Sequence, residues 1–446
     1  PYLRRYSRRT KSSMNTVIHW HRRDLRLEDN AGLYEALKSG ARVQPIFIFD
    51  TNILDKLEDK TDARVTFIHT ELLRLNEELK ALGSTLKVYY GNPSVLWPKI
   101  LKEIQPTAVY TNRDYEPYAK ERDTAVEQIL TEHNTPFLTF KDHVIFETDE
   151  ILKDDGTPYV VYTPYSRKWK QKLNDYYLQP YPNVAYFQNF KKTEHAPILP
   201  LSEMGFEKNP MSFPKRSTTL GIIRNYEEHR NFPAIEGTSR LSVHFRFGTI
   251  SIRDKASKGN KSSEKWLNEL IWRDFYIQIL HHFPHVVRGS FKPKYDAIQW
   301  STNEEHFQAW CEGKTGYGMV DAGMRELNTT GFMHNRVRMV VSSFLTKHLL
   351  IDWRWGEAYF ARKLLDFELA SNNGGWQWAA GSGVDAAPYF RIFNPYTQIT
   401  KFDKQHTYIK KWVPEWGTSA YPKEIVEHKA ARELCLATYK EALNTN

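Results

Sequence analysis

The sequence predicts an α/β domain built on a doubly wound parallel sheet, then a long linker, then an all-helical domain. Two observations predict this order. Short apolar segments alternate with amphipathic helical segments from Thr16 to about Phe146, whereas the chain from Thr218 onward has an almost continuous helical periodicity. Residues 147–217 between them are rich in Pro and turn-forming residues and have little periodicity, which is typical of an inter-domain connection.

Five strands are expected in the first domain, and helical segments separate them. The predicted strands are VQPIFIFD, LKVYYG, AVYTN, FLTFKDHVIF and one at the start of TVIHWHRRDLRL. The predicted helices are RVTFIHTELLRLNEELKALG, which ends at Gly83, and the segments around Ser94–Ile104 and Ala119–Glu132. This alternation indicates Rossmann-like layering around a parallel sheet. The turn GxGxxG is absent after the first strand, so no dinucleotide site is expected there.

The second domain is predicted to consist of helices joined by short turns. The predicted helices are SSEKWLNELIWRDFYIQILHHF, NEEHFQAWCEG, YGMVDAGMRELNTTG, NRVRMVVSSFLTKHLLI, WGEAYFARKLLDFELA and KEIVEHKAARELCLATYKEAL. The segment NNGGWQW at 372–378 is expected to be a turn, because two amides and two glycines are poor material for a helix. At the other end of the chain, residues 1–13 are Arg- and Ser-rich and lack an apolar face, so they are expected to be a leader or a cloning-derived extension.

The amino-acid composition narrows the possible classes of function. The chain has 446 residues, 41% hydrophobic and 26% charged, and no apolar run is long enough to cross a bilayer. Its net charge of +9 favours a polyanionic partner. The 13 Trp and the aromatic fraction of 14% exceed the needs of a core and favour stacking, flavin contact or an electron relay. Cys311 and Cys435 have no metal or redox spacing, so no metal site is expected and a reducing compartment is favoured.

One predicted helix, 265–281, has an unusual face. Glu269, Trp272, Arg273 and Tyr276 are spaced i, i+3, i+4 and i+7, so they lie on the same side. An acid, an indole, a guanidinium and a phenol make a poor core stripe. The face is therefore predicted to form the wall of a pocket for a flat, hydrogen-bonding ligand such as a nucleobase; a polar face at a domain contact is the alternative.

Two further groups of polar residues are candidates for a site. Thr238, Ser239 and Ser242 stand at a predicted helix start, where hydroxyl groups suit a phosphate or simply cap the helix. Asp366 and Glu368 form an acid pair, but no nucleophile stands near them in the sequence. Hydrolysis is therefore poorly supported.

Long, ordered segments recur from Thr16 to the C-terminus: HWHRRDLRLEDNAGL, YEEHRNFPAIEGTSRLS, WLNELIWRDFY, EGKTGY, MVDAGMRELNTTGFMHNRVRM, DWRWGEAYF and NNGGWQWAAGSGVDAAPYFRIFNP. Together they resemble the photolyase/cryptochrome family, most closely its class I cyclobutane pyrimidine dimer photolyases. The resemblance implies an antenna domain at 14–146, a linker at 147–217 and a helical FAD-binding catalytic domain at 218–446. It also implies light-driven repair: FADH⁻ excited by blue or near-UV light passes an electron to a flipped-out dimer, the cyclobutane ring splits, and the electron returns.

The resemblance implies a U-shaped FAD in the helical domain, with Asn372 facing flavin N5. The other implied FAD contacts are Tyr226, Thr238, Ser239, Arg240, Leu241, Ser242, Arg273, Arg338, Asp366, Phe367 and Glu368. Glu368 stands where Asp is common in the family. Trp376, Trp353 and Trp300 match the tryptophan chain that photoreduces the flavin from the surface.

The resemblance also implies a dimer site, in which Glu269 hydrogen-bonds the dimer while Trp272 and Trp378 cradle it. The other implied DNA or pocket contacts are Arg230, Arg273, Tyr276, Asn335, Arg336, Met339, Arg391 and Gln398. Trp376 and Trp378 are expected to face opposite ways, because residues i and i+2 point apart on a strand and on a helix. Trp376 would face the relay and Trp378 the pocket.

The resemblance leaves the antenna and the branch of the family open. Relatives use a folate, deazaflavin or flavin antenna, and Glu116 is the candidate contact here. The expected partner is damaged DNA, with no membrane and a monomeric protein, in a prokaryotic cytosol or nucleoid; an organelle remains open because of the Arg-rich N-terminus. The alternatives are a (6-4) photolyase, in which a His aligns with Asn335, and a cryptochrome receptor, which often has a long tail where this chain ends in NTN.

Overall fold

The computed structural model describes residues 15–444, so the predicted extension at 1–13 lies outside the described residues. Five parallel strands form one sheet in the order β3-β2-β1-β4-β5. The strands are β1 (Thr16–His21), β2 (Arg42–Asp50), β3 (Lys87–Gly91), β4 (Val109–Asn112) and β5 (Phe137–Phe140). The predicted doubly wound parallel sheet is confirmed, with its change of direction between β1 and β4.

Helices connect the strands and cover both faces of the sheet. They are α1 (Ala31–Lys38), α2 (Thr51–Leu54), α3 (Ala63–Ala81), α4 (Pro93–Ile104) and α5 (Pro117–Glu132). Asn30, Asp62 and Asn92 start α1, α3 and α4 by accepting a hydrogen bond from a backbone N–H of the first turn. Separate apolar clusters lie on the two sides of the sheet, as a parallel sheet buried on both faces requires.

The last predicted strand was too long. FLTFKDHVIF was expected to be extended to Phe146, but β5 ends at Phe140. The physical reason lies two residues later, where Asp142 is buried and its carboxylate pairs with Arg26 at 2.7 Å and with Arg253 at 2.8 Å. These guanidinium groups hold the chain away from the sheet edge.

Residues 147–217 contain short helices within an otherwise irregular path. The regular segments are α6 (Tyr162–Lys172), α7 (Asp175–Leu178) and the 3₁₀ turns Asn183–Asn189 and Leu201–Met204. Trp169 and Phe190 of this connection are fully buried, and the Trp169 indole N–H donates to Asp274 of the helical domain at 3.1 Å. The connection is therefore packed into the core and holds the two domains together.

The rest of the chain is helical, as expected from its periodicity. Its helices are α8 (Leu220–Arg224), α9 (Tyr226–His229), α10 (Ser242–Phe247), α11 (Ile252–Ser262), α12 (Glu264–His282), α13 (Glu304–Glu312), α14 (Gly318–Thr330), α15 (Asn335–Ser343), α16 (Trp353–Lys363), α17 (Leu369–Ala380), α18 (Pro395–Phe402), α19 (Thr407–Trp412) and α20 (His428–Asn444). Shorter 3₁₀ or π-helical turns occur at Pro284–Val287, Pro293–Ala297 and Phe344–His348. None of the helices in 15–444 is long and apolar enough to span a membrane.

The expectation of a turn at 372–378 was wrong, because NNGGWQW lies inside helix α17. Helix propensity disfavours glycine, but tertiary packing requires it here, because a Cβ on Gly374 would lie 2.2 Å from the Tyr276 ring. The predicted helix WGEAYFARKLLDFELA was also too long, since α16 ends at Lys363 and the chain is extended at Leu364 and Glu368 before α17 begins. This break brings the buried Glu368 carboxylate to the arginines described below.

Candidate functional site

A cavity of about 530 Å³ lies among α10, α12, α15 and α17, a volume typical of cofactor sites. Most of the residues predicted from the sequence to form a site line this cavity. They are Tyr226, Arg230, Thr238, Ser239, Arg240, Leu241, Ser242, Glu269, Trp272, Arg273, Tyr276, Asn335, Arg338, Met339, Asp366, Phe367, Glu368, Asn372, Trp376 and Trp378. Residues far apart in the sequence therefore share one space.

Helix α12 presents its predicted face to the cavity. Ser263 caps the start of the helix, since its hydroxyl accepts a hydrogen bond from the Trp266 N–H. Glu269 on this face is ion-paired with Arg230. Burial nevertheless raises the pKa of Glu269, because the loss of water outweighs the nearby Arg230 charge. The cavity therefore holds an acid that Arg230 already orients.

Three hydroxyl groups and one arginine suit a phosphate-bearing ligand. Thr238, Ser239 and Ser242 line the cavity, and within residues 15–444 none of their hydroxyls makes a hydrogen bond. Arg240 between them has φ +50, a left-handed conformation that is uncommon outside glycine and often marks functional sites. Its guanidinium lies over the Phe332 ring, 4.6 Å from the centroid. These hydroxyls are free to bind a ligand.

The acids at 366 and 368 are both paired with arginine. Asp366 lies 3.0 Å from Arg338. Glu368 accepts from Arg23 at 2.5 Å and from Arg273 at 3.0 Å, so an arginine after strand β1 contacts the wall of the cavity. Although burial opposes its charge, Arg273 and Arg23 lower the pKa of Glu368 to about 2. Glu368 is therefore a fixed negative charge whose main partners are protein groups.

Asn372 in α17 is oriented by a single residue. Its side-chain Nδ2 donates to the backbone oxygen of Glu357 at 3.1 Å and to Oε1 of the same residue at 2.9 Å. Both N–H groups of the amide are thus used. Its Oδ1 makes no hydrogen bond within residues 15–444, and Asn372 lines the cavity. The amide consequently offers the cavity an acceptor.

The three tryptophans of the predicted relay belong to one apolar cluster. Trp376 and Trp353 are buried, and Trp300 is partly buried. Within the described chain, the aromatic neighbours of Trp376 are Trp310, at 6.0 Å between ring centroids, and Phe360, at 5.0 Å. Trp376 also lines the cavity together with Trp378, so the predicted division of the two indoles between relay and pocket is less sharp than expected.

Six predicted residues lie outside the cavity lining: Trp300 and Trp353 of the relay, and Arg336, Arg391, Gln398 and Glu116. Arg336 donates to Asn231 at 2.8 Å and covers the Phe402 ring at 4.3 Å. Arg391 is exposed and Gln398 half-buried, both after α17. Glu116, the candidate antenna contact, accepts from Arg246 at 2.8 Å and from the Leu369 N–H at 3.3 Å. Glu116 is thus a bridge between the domains.

Sequence reasoning missed three residues that shape the site. Arg23 and Glu357 hold Glu368 and Asn372, as described above. Tyr162, from the connection between the domains, stacks on Trp272 with 3.7 Å between ring centroids. Gly375, from the glycine pair of NNGGWQW, also lines the cavity, and a Cβ there would meet nothing within 4 Å. Arg23 lies in the motif HWHRRDLRL, but no spacing rule relates it to Glu368, which is 345 positions later.

The expectation of no metal site rested on sequence spacing, yet folding brings two trios of possible ligands together: His19, His21 and Asp24, and Asp149, His281 and His282. Asp24 already accepts hydrogen bonds from Asn112 at 2.7 Å and from the Arg22 N–H at 2.7 Å. Neither trio contacts the cavity, so neither enters its chemistry.

The fold and the cavity define a class of protein: a Rossmann-like domain joined to a helical domain with room for a large, flat, phosphate-bearing cofactor. A family model described as DNA photolyase matches residues 17–185, and one described as the FAD binding domain of DNA photolyase matches residues 266–419. The chain belongs to the DNA photolyase family. The predicted family, two-domain fold and FAD-binding domain are confirmed.

Known relatives resemble the chain over nearly its whole length. Deoxyribodipyrimidine photo-lyases of Synechococcus sp. and Escherichia coli are 36% and 37% identical, covering 95% and 96% of this chain and 96% and 99% of their own. A class III photolyase structure from Agrobacterium tumefaciens has a TM-score of 0.87 and 31% identity, covering 98% of this chain and 100% of its own. A Synechocystis cryptochrome structure has a TM-score of 0.78 and 25% identity, covering 96% and 100%. The predicted class I branch stays a prediction.

Proposed function

We propose that this protein repairs cyclobutane pyrimidine dimers in DNA with the energy of light. The observation that carries the proposal is the shared cavity. Groups suited to FAD and groups suited to two pyrimidine bases joined by a cyclobutane ring line the same space. The relatives of Synechococcus and E. coli, which match nearly the whole chain, are named deoxyribodipyrimidine photo-lyases. A cofactor and a substrate held in one cavity are what an electron transfer between them needs.

The residues present fit FAD on three counts. The free hydroxyls of Thr238, Ser239 and Ser242 suit the phosphates. The missing side chain of Gly375 leaves space where a flat ring system approaches the backbone. The free Oδ1 of Asn372 accepts a hydrogen bond from an N–H, which the reduced flavin carries at N5. When bound in reduced form, FAD supplies an electron on absorbing light.

The dimer site of the proposal lies at Glu269, Trp272, Asn335, Met339 and Trp378. The indoles offer flat apolar faces, and the oriented Glu269 offers a hydrogen-bonding partner to a base edge. The target has to leave the base stack to enter the cavity, and a damaged pair costs less to unstack. The net charge of +9 favours binding to the phosphate backbone, with affinity that falls as salt rises.

Other features complete the proposal. We keep Trp376, Trp353 and Trp300 as the electron route from the surface, supported by their common cluster. The boundaries 14–146, 147–217 and 218–446 are kept as domains and linker.

A monomer acting beside DNA in a prokaryotic cytosol or nucleoid fits the free, buried Cys311 and Cys435. The proposal does not choose between a folate, deazaflavin or flavin antenna. Glu116, the candidate antenna contact, already accepts a hydrogen bond from Arg246.

A light receptor without repair activity is the second candidate, because a cryptochrome structure resembles the chain. One experiment separates the two. The reduced, FAD-loaded protein is illuminated with an oligonucleotide containing one cyclobutane thymine dimer, and the return of thymine absorbance is followed, with a dark sample as control. Light-dependent recovery is expected. No recovery from protein that retains its flavin would contradict repair and favour the receptor.

A further inference from the structure

One face of Trp272 is already covered in the protein. The Tyr162 ring lies flat against it, with 3.7 Å between ring centroids and 2° between the planes. The other aromatic neighbours of Trp272 are Phe275 and Tyr276, which meet it edge-on or tilted, at 81° and 32°. Because Trp272 lines the cavity and one face is stacked, a ligand can stack on its opposite face only.

Tyr162 is itself held at both ends. Its hydroxyl donates to the backbone oxygen of Asn268 at 3.0 Å. Its backbone N–H, at the first position of α6, donates to the Asp385 carboxylate at 3.0 Å. Asp385 lies beyond α17 and has φ +46, and α6 has no cap from its own N-cap residue, Val161. Helix α12 and the segment after α17 therefore both hold Tyr162 in place.

We propose that Tyr162 is a positioning residue for the dimer: it locks the plane of Trp272 so that the free face of the indole is ready to stack on the substrate. The proposal rests on the proposed function, in which Trp272 cradles the dimer. An aromatic side chain that is ordered before binding spares the cost of ordering it during binding. The connection at 147–217 thereby becomes part of the substrate site rather than only a linker.

This role predicts an effect on discrimination between damaged and intact DNA. Intact duplex binds chiefly through its phosphate backbone, whereas a flipped dimer has to stack on Trp272. Loss of the stacking partner should therefore weaken dimer binding by about threefold to tenfold and leave binding of intact DNA unchanged.

The test compares Tyr162→Leu, which removes the ring, with Tyr162→Phe, which keeps the ring and removes the hydroxyl. Dissociation constants are measured for the FAD-loaded protein with a dimer-containing oligonucleotide and with the intact oligonucleotide of the same sequence. We expect weaker dimer binding for Tyr162→Leu and wild-type binding for Tyr162→Phe. Tyr176→Leu, at an exposed tyrosine of the same connection, is the matched control and should change neither constant.

Flavin content and thermal unfolding show whether each variant folds, and Tyr162→Met replaces the Leu variant if that protein is insoluble. A double-mutant cycle adds a second measurement: with Trp272→Ala present, loss of the Tyr162 ring should have no further effect. Equal dimer binding by wild type and the Leu variant would overturn the proposal, as would equal weakening with both DNAs. If the wild type itself does not prefer dimer-containing DNA, the proposed function fails instead.

Discussion

Two regions of this molecule are suited by their architecture to hold a nucleotide cofactor: the carboxyl edge of the parallel sheet and the cavity in the helical domain. Ligands of doubly wound sheets usually bind where the strand order changes direction, here between β1 and β4. The polar groups at that edge pair with each other: the Asp24 carboxylate, just after β1, accepts hydrogen bonds from the Arg22 N–H and the Asn112 side chain, both at 2.7 Å.

The cavity differs from the sheet edge in the state of its polar groups. The hydroxyls of Thr238, Ser239 and Ser242 and the Oδ1 of Asn372 have no hydrogen-bond partner in 15–444, whereas the edge satisfies its carboxylate internally. The layering of a fold therefore does not locate its ligand. The edge still contributes, because Arg23 extends from it to Glu368 on the cavity wall.

The largest effect is expected from Arg23→Gln, which cuts the link between the two regions. It leaves the buried Glu368 and the partly buried Asp114 without their Arg23 partner. The free energy of unfolding in urea should fall by about 3–5 kcal/mol. Arg113→Gln removes a half-exposed pair with Glu147 and should cost less than about 1 kcal/mol. Equal losses for the two variants would show that the Arg23 link does not support the cavity.

Gly375→Leu tests whether the helical cavity, and not the sheet edge, holds FAD. A side chain at this position enters open space that the cofactor is proposed to occupy, so FAD binding should weaken by roughly 100-fold. Flavin absorbance of the purified protein measures it. Gly221→Leu, at a helical glycine with open surroundings outside the cavity, should retain full flavin. Full flavin in the Gly375 variant would place the cofactor elsewhere.

Asp274 is a second buried acid, and it contrasts with Glu368. The pKa of Asp274 is governed by burial, whereas the pKa of Glu368 is governed by neighbouring arginines. Burial raises the pKa of Asp274 from 3.8 to about 7, and one carboxylate oxygen has no hydrogen-bond partner. The folded state thus binds a proton that the unfolded state releases, so its stability declines as pH rises from about 4 through about 7.

Asp274→Asn should therefore stabilise the protein at pH 8 relative to pH 5, by a difference on the order of 1–3 kcal/mol. The amide oxygen can keep the hydrogen bond from Trp169. Urea unfolding at the two pH values measures the effect. A variant whose stability changes with pH as the wild type does would refute a raised Asp274 pKa.

The smallest effect is expected at Glu357, which orients Asn372. With Glu357→Ala, the amide keeps only its bond to the backbone oxygen and presents its Oδ1 less firmly. The reduced flavin loses part of one hydrogen bond, so the midpoint potential of bound FAD should fall by roughly 10–30 mV. Glu357→Gln retains an acceptor and should retain the potential. Identical potentials in all three proteins would argue against an orienting role.

The sequence predicted the fold well where periodicity is strong. The alternating apolar segments and the helical face of α12 follow from local patterns that packing preserves. The helix at 372–378 could not be predicted, because Gly374 is required by the ring of Tyr276, which is 98 positions earlier. The shortened β5 likewise depends on Asp142 meeting arginines from distant segments.

The site was predictable only in part. The face Glu269, Trp272, Arg273 and Tyr276 was visible from spacing, and the FAD contacts came from family motifs. The supporting residues were not visible, since Tyr162 lies in a segment without periodicity and its stacking on Trp272 is a long-range contact. Residues that hold other residues in place carry no local signal.

The central claim is that FAD binds in the helical cavity with its ring system beside Asn372. A crystal structure of the FAD-loaded protein tests it most directly. We predict flavin density between α12 and α17, with N5 within hydrogen-bonding distance of Asn372 Oδ1 and the phosphates beside Thr238, Ser239 and Ser242. Flavin density at the carboxyl edge of the sheet, with the helical cavity empty, would contradict the account.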